Sequence, residues 1–414
     1  MGERPRLLLL LPSTTYRAAA FVEAARRLDV PLTVATDHDS VFAVSRPDGL
    51  VTLDFARRDR AVEQARAFAA SRPVAAVVGV DDDTAVLASA IASGLGLPAN
   101  PIEATLAARD KHLQRVAMAG AGVPVPSFAL HDMTEDAPEV ARATTYPCVL
   151  KPLCLSASRG VIRADTPEGF VAAHALLARV LGEAGASRYL VEDFVPGPEV
   201  ALEGLLDGGE LRTLALFDKP DPLDGPYFEE TIYVTPSRLP AAAQRALAGC
   251  AARAARALGL ASGPVHVELR YNDRGPWLIE LGARPIGGRC SAVLRFDLGD
   301  GAGAHSLEEL LLMHALGLAV PAVEREPAAA GVMMIPVPGS GVLRSVAGVD
   351  AARSVPGVEA VAITAHPGQR LVPPPGGARY PGFIFARGGS PEEVEAALRR
   401  AHALLRFDLV ANEG

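Results

Sequence analysis

The chain lacks the marks of several protein classes. It has only four cysteines, Cys148, Cys154, Cys250 and Cys290, and none forms a C-x-x-C pair or a zinc-ligand spacing. Free thiols in a reducing cytoplasm are therefore expected. Basic residues are outnumbered, 40 Lys and Arg against 48 Asp and Glu, for a net charge of −8. No basic stripe offsets that balance, which argues against a nucleic-acid partner. The apolar run near the N-terminus covers only residues 7–11 and ends in a turn, so it is expected as a first buried strand and not a signal peptide. No stretch approaches the ~18 apolar residues of a membrane span. Low-complexity tracts are also missing. With 49% hydrophobic and 21% charged residues, the composition is that of a globular chain.

At 414 residues the chain is too long for one ordinary core, and about two to four domains are expected. Residues 1–100 alternate short apolar strands (RLLLLLP, PLTVATD, VAAVVGV) with amphipathic helices, the pattern of a doubly wound parallel sheet. The turn PSTTYR after the first strand lies where such sheets bind ligands, but it has no G-x-G-x-x-G and does not predict a dinucleotide site. A helix is expected over roughly 102–119, broken by Gly120, Gly122, Pro124 and Pro126. From there to about 320 the pattern is α+β. PCVLKPL, GVIRA and RYLVEDFV are strands, a hairpin turns at Asp207-Gly208-Gly209, and helices cover about 168–181 and 241–258. The last ninety or so residues are expected to form a small α/β unit, and SLEELLLMHALG a core-packing helix.

One stretch carries the chemistry. In HVELRYNDRGPWLIELGARPIGGR, two strands flank the turn NDRG. Antiparallel pairing puts Glu268 opposite Glu280 and His266 opposite Gly282 on one face, with Val267, Leu269, Ile279 and Leu281 on the other. Like charges directly opposite are destabilising unless a cation bridges them, and paired carboxylates suit Mg²⁺, with Mn²⁺ as a substitute. The alternative is two solvated acids that share a face. Arg284 follows as a candidate bidentate anion ligand, and Gly287 and Gly288 would let backbone amides approach an oxyanion.

Other segments offer sites for an anion. Lys151 ends an apolar strand, where it is costly unless it meets a negative charge. The small-residue loop Ser156, Ala157, Ser158, Arg159, Gly160 follows it. Lys111 stands at a helix start in RDKHLQR. In VEDFVPGPE a strand ends at Glu192, Phe194 and Val195 enter a turn, and Glu199 opens the next strand. Such a hinge can offer its backbone to a purine edge and Glu199 to ribose hydroxyls. Lys219, Tyr227 and Glu229 in FDKPDPLDGPYFEETIYVTPS, together with His266 and Arg289, are substrate candidates, against bland readings as loop or structural residues.

The set DK, VLKP with its small-residue loop, VEDFVPGPE and HVEL…IELGAR, behind an α/β domain, resembles the ATP-grasp superfamily over roughly residues 1–320. The segment YPGFIFARGGSPEEVEAALRRAHALL is similar to the last subdomain of its L-amino-acid ligase branch, which forms dipeptides. The resemblance implies an ATP-grasp fold, α/β and α+β: a pre-ATP-grasp domain over 1–100, an ATP-grasp domain over 101–320 (lid about 124–198, catalytic sheet about 199–320), and a C-terminal α/β subdomain over 321–414. It also implies roles. Lys111, Lys151 and the loop with Ser156, Ser158 and Gly160 would contact ATP phosphates. Glu192, Phe194 and Val195 would read adenine, and Glu199 the ribose. Glu268 and Glu280 would hold Mg²⁺, and Arg284 would stabilise an acyl phosphate. Many members carry E-x-N-x-R, whereas Gly282 stands in the asparagine position here, one metal ligand fewer. That form points away from carboxylases and carbamoyl-phosphate synthetases.

The expected activity is therefore ATP-dependent amide formation between small amino-acid-like substrates, compatible with a homodimer. The alternatives are purine-type ligation, which Gly282 opposes, and a degenerate nucleotide-binding protein, which retention of Lys151, Glu268, Glu280 and Arg284 opposes. An oxidoreductase is opposed by the missing glycine fingerprint.

Overall fold

The computed structural model describes residues 6–13, 15, 17–38, 49–299, 301, 303–320, 323–377 and 379–410. Residues 1–5, and Thr14 and Tyr16 of the PSTTYR turn, lie outside the described residues. Arg6–Leu10 is the buried first strand of a parallel sheet, flanked by Leu32–Thr36 and Val74–Gly79, with Leu50–Thr52 at the edge. Side chains alternate along a strand, so this one feeds two cores. Leu7 and Leu9 pack with Phe21 and with Leu307, Leu310 and Leu311 of the helix Leu307–Ala315. Leu8 and Leu10 pack with Ala61, Ala65, Leu87 and Ile91. Burial on both faces is what a parallel sheet requires.

The helix expected over 102–119 is two helices, Ile102–Arg109 and Lys111–Gly120. Asp110 between them is extended (φ −99°, ψ 114°), and its side chain accepts from the amides of His112 and Leu113. An N-cap inside an apparently continuous periodic segment restarts the helix and aims Lys111 inward.

Among the described residues four antiparallel sheets follow, two of them of only two and three strands, and the other two shape the site. The smaller of these last two has the order Phe128–Asp132, Arg188–Asp193, Cys148–Pro152, Ile162–Ala164 and is backed by the helix Pro167–Glu183. The larger has eight strands: Gly275–Gly282, Gly263–Asn272, Glu199–Asp207, Glu210–Asp218, Ile232–Thr235, Ala329–Met334, Gly382–Gly388 and Val358–Ile363. Its hydrogen bonding runs without a break past residue 320, so strands from the last ninety residues extend the sheet that carries Glu268. The helix Ala241–Leu258 covers one half of this sheet, and Pro391–Leu404 covers the other.

Candidate active site

Glu268 pairs directly with Glu280, and His266 with Gly282, as the alternation predicted. Beyond this point the register shifts. Leu269 faces Leu278, because a bulge inserts Ile279. Leu278 is therefore fully buried in the sheet core with Val267, Leu269 and Leu281. Ile279, expected on that apolar face, lines a cavity instead. A one-residue slip exchanges faces, and no turn residue announced this one.

The cavity measures about 720 Å³ and lies between the two antiparallel sheets, the N-terminal sheet and the C-terminal segment. Glu268, Glu280, His266, Arg284, Gly287, Gly288, Lys111, Lys151, Ser156, Ser158, Glu192, Phe194, Val195 and Glu199 line it. Of the residues singled out from sequence, Gly160, Lys219, Tyr227, Glu229 and Arg289 do not.

Each of these five has a local reason. Gly160 adopts φ +75°, and a Cβ there would meet Pro152 at 2.9 Å, so it serves close packing below the loop. Its amide donates to the Pro375 carbonyl (3.0 Å), tying the loop to the C-terminal segment. Tyr227 is exposed and bridges to Ile162. The Glu229 carboxylate accepts from the Val337 amide at 3.0 Å. Phe228 and Glu230 line the cavity in their place. The Arg289 guanidinium lies over the rings of Phe383 and Phe385, 5.6 and 5.5 Å from their centroids.

Lys219 is buried behind the cavity wall. Its Nζ donates to Glu199 (2.8 Å), Glu230 (3.0 Å) and Glu268 (2.8 Å). Burial alone would lower its pKa, but the carboxylates of Glu199, Glu230 and Glu268 raise it well above the usual lysine range. The second oxygen of Glu199 accepts from Arg270 (2.9 Å), so each carboxylate oxygen already holds one buried cation and keeps a further lone pair on the cavity side. Burial, with the Lys219 charge opposing and the Glu268 charge adding, pushes Glu230 up. Glu268 is held well below the carboxylate range: burial opposes this, and Lys219 and His266 outweigh it.

On the side of the smaller antiparallel sheet the balance is reversed. Lys151 meets one carboxylate, Glu192, at 2.5 Å. Arg115, wholly buried, grips the same Glu192 at 2.6 Å. Glu192 is kept low against the effect of burial by Arg115 and Lys151, and its carboxylate is engaged by both cations at the cavity wall. Burial and the charges of Arg115 and Lys111 push Lys151 below the usual lysine range, although Glu192 opposes them. At the hinge, the Phe194 amide donates to the Pro147 carbonyl, and the Val195 carbonyl accepts from Arg270 (2.8 Å).

Lys111 donates to Glu280 (2.9 Å) and to the Leu155 carbonyl (2.9 Å). Sequence reasoning missed the partner of Arg284: Asp82, in the first turn of the helix Asp82–Gly94, held by an Asp81–Thr84 capping box. The distance is 2.9 Å, and the guanidinium, with burial opposed, keeps Asp82 low. Arg17 was also missed. It donates to the carbonyls of Pro285 (3.1 Å) and Ile286 (2.6 Å). Glu203, fully buried, accepts from the Ile286 amide and lies 3.5 Å from His266. Burial pushes Glu203 up. These residues hold the GARPIGG segment from behind. Their partners are 200 or more positions away for Arg17 and Asp82, beyond the reach of any local pattern.

The donor set fits a divalent cation. Two carboxylates face each other on the cavity wall, with Glu230 beside Glu268. No group of three His, Cys, Asp or Glu with metal-site geometry occurs among the described residues. Remaining positions would fall to substrate oxygens and water, which is usual for Mg²⁺. No helix among the described residues is long and apolar enough to cross a membrane.

Comparison with known proteins agrees with this geometry. Residues 22–99 match the ATP-grasp N-terminal domain, 144–293 the ATP-grasp domain, and 333–410 the L-amino acid ligase C-terminal domain 2. The protein y4rH of Sinorhizobium fredii is 27% identical over 96% of this chain and 81% of its own. An alanine–anticapsin ligase of Bacillus subtilis is 28% identical over 47% of this chain, and the match spans only 44% of that enzyme. A crystal structure of L-amino acid ligase from Bacillus licheniformis superposes with a TM-score of 0.77 at 24% identity, over 98% of this chain and 99% of that one. Domains, order and fold agree: the chain carries an ATP-grasp N-terminal domain and an ATP-grasp domain in an ATP-grasp fold, and its C-terminal domain is that of the L-amino acid ligase kind.

Proposed function

We propose that this chain is an ATP-dependent carboxylate–amine ligase, joining small amino-acid-like substrates through an acyl phosphate and releasing ADP and phosphate. The observation that carries the reading is the facing pair Glu268 and Glu280, on the wall of a cavity that also presents Lys111, Lys151 and Arg284. In this reading residues 1–100, 101–320 and 321–414 act as the N-terminal, ATP-grasp and C-terminal units, and all three border the cavity.

A carboxylate is a poor acyl donor at neutral pH. Its oxygen attacks the γ-phosphorus of ATP, ADP leaves, and the acyl phosphate then accepts the amine. The tetrahedral adduct expels phosphate, and the nitrogen loses a proton. The chain's part is positioning and charge. Lys111 and Lys151 hold the phosphates under the loop carrying Ser156 and Ser158. The Phe194 carbonyl and the Val195 amide are left for the purine edge. Arg284, fixed by Asp82, faces the charge that develops on the acyl oxygen. Glu230 is placed to hold an ammonium group. A divalent cation on Glu268 and Glu280 would supply neutralisation of phosphoryl charge.

The test is phosphate release from ATP and Mg²⁺ against amino acids singly and in pairs, with mass spectrometry of the products. Release that requires a pair, with a product equal to both minus water, supports the ligase. Formation of AMP and pyrophosphate would sink the acyl-phosphate route.

A further inference from the structure

Six lysines and arginines line the cavity, and five are already anchored. Lys111 is held by Glu280, Lys151 by Glu192, Arg270 by Glu199, Arg284 by Asp82, and Arg17 by two carbonyls. The sixth is Arg379. Among the described residues it has no hydrogen bond or ion pair, and it stands exposed at the cavity wall.

The chain near it is tied to neighbouring segments. The Pro375 carbonyl accepts from Gly160, the Tyr380 carbonyl from the Thr364 hydroxyl, and the Pro381 carbonyl from the amides of Thr364 and Ala365. The C-terminal residues that share the cavity lining with it, Thr364, His366, Gln369, Tyr380 and Phe383, include no acid, and the nearest carboxylates acting on Tyr380, Glu230 and Glu229, make no ion pair with Arg379 among the described residues. An unpaired guanidinium at a cavity wall is a ready carboxylate ligand.

We infer that Arg379 binds the free carboxylate of the amine substrate, so that the acceptor is an amino acid and becomes the C-terminal half of the product. This rests on the ligase reading. The charges of the two substrates decide the assignment. The acyl donor spends its carboxylate in the reaction and keeps an ammonium group, which a guanidinium repels. The acceptor spends its amine and keeps a carboxylate, which a guanidinium pairs. Tyr380, Phe383 and Met334 line the same cavity and would give the acceptor apolar surface.

The test is calorimetric titration of the full chain, with Mg²⁺ and a non-hydrolysable ATP analogue, using L-alanine, L-phenylalanine and their carboxamides. The wild type is expected to prefer at least one amino acid over its amide by about tenfold or more. Arg379→Ala should lose that preference, Arg379→Lys should keep part of it, and affinity for the ATP analogue should not change. Equal binding of acids and amides by the wild type overturns the inference. So does a preference that is undiminished in Arg379→Ala, or a loss confined to the nucleotide. A wild type that shows the preference but releases no phosphate with any pair removes the ligase reading and leaves the carboxylate site standing.

Discussion

Two buried lysines, Lys151 and Lys219, look alike in the sequence: each closes or follows a strand, and each invites an anion. Their surroundings are opposite. Lys151 shares one carboxylate with Arg115 and has Lys111 near it, so the side of the smaller sheet is short of negative charge. Lys219 holds three carboxylates, of which only Glu199 has a second strong cation, Arg270, so the side of the eight-stranded sheet is short of positive charge. A buried charge is tolerated only where its surroundings balance it. In the proposed reading the side of Lys151 would be completed by an anion, such as phosphate, and the side of Lys219 by a cation, such as a metal ion or an ammonium group. In the proposed reading the same residue type would bind ligand in one place, while it cross-links the wall in the other, and the count of neighbouring carboxylates decides which.

The largest effect expected is on activity. Glu280→Gln keeps an acceptor for Lys111 but removes a negative charge from the sheet side. Turnover should fall by about a thousandfold or more with an unchanged unfolding transition. Near-normal turnover in the folded variant would refute the metal assignment. Next is Lys219→Met, which leaves three carboxylates crowded together. It should cost about 3–5 kcal/mol in denaturant unfolding, and a loss below about 1 kcal/mol would show that the three acids do not need their lysine.

Lys151→Met should behave in the opposite way, because Arg115 still pairs Glu192 and a like charge is relieved. Stability should shift by no more than about 1–2 kcal/mol while ATP binding weakens about ten- to a hundredfold. If the two lysine variants lose stability equally, the contrast fails. A pH titration gives a smaller signal. Glu192 is held below its ordinary value of 4.5, so its contribution is fully present above pH 4.5 and is lost as pH falls through the lowered folded value. Glu192→Gln should flatten that acid limb. Smallest is Gly160→Ala, at about 1–2 kcal/mol, from the left-handed φ and the contact with Pro152.

Much of this was legible because it is local. The facing of Glu268 and Glu280 follows from alternation about a short turn, and the helix Ala241–Leu258 from its period and its bounding residues. Errors came where one residue changes the phase. Asp110 restarts a helix, and the bulge at Ile279 moves a side chain from the core to the cavity. The substrate candidates Tyr227 and Glu229 fell on the wrong parity, with Phe228 and Glu230 facing the cavity instead.

By itself, the sequence determined the elements, the order of domains along the chain and the carboxylate pair, since each depends on residues within one or two strands of each other. The tertiary structure alone decided which charges meet. Asp82 reaches Arg284, Arg17 reaches Ile286, Glu192 reaches Arg115, and the C-terminal strands extend the catalytic sheet. Ion pairing acts through space at a few ångströms, and spacing in sequence carries no information about it until the chain has folded.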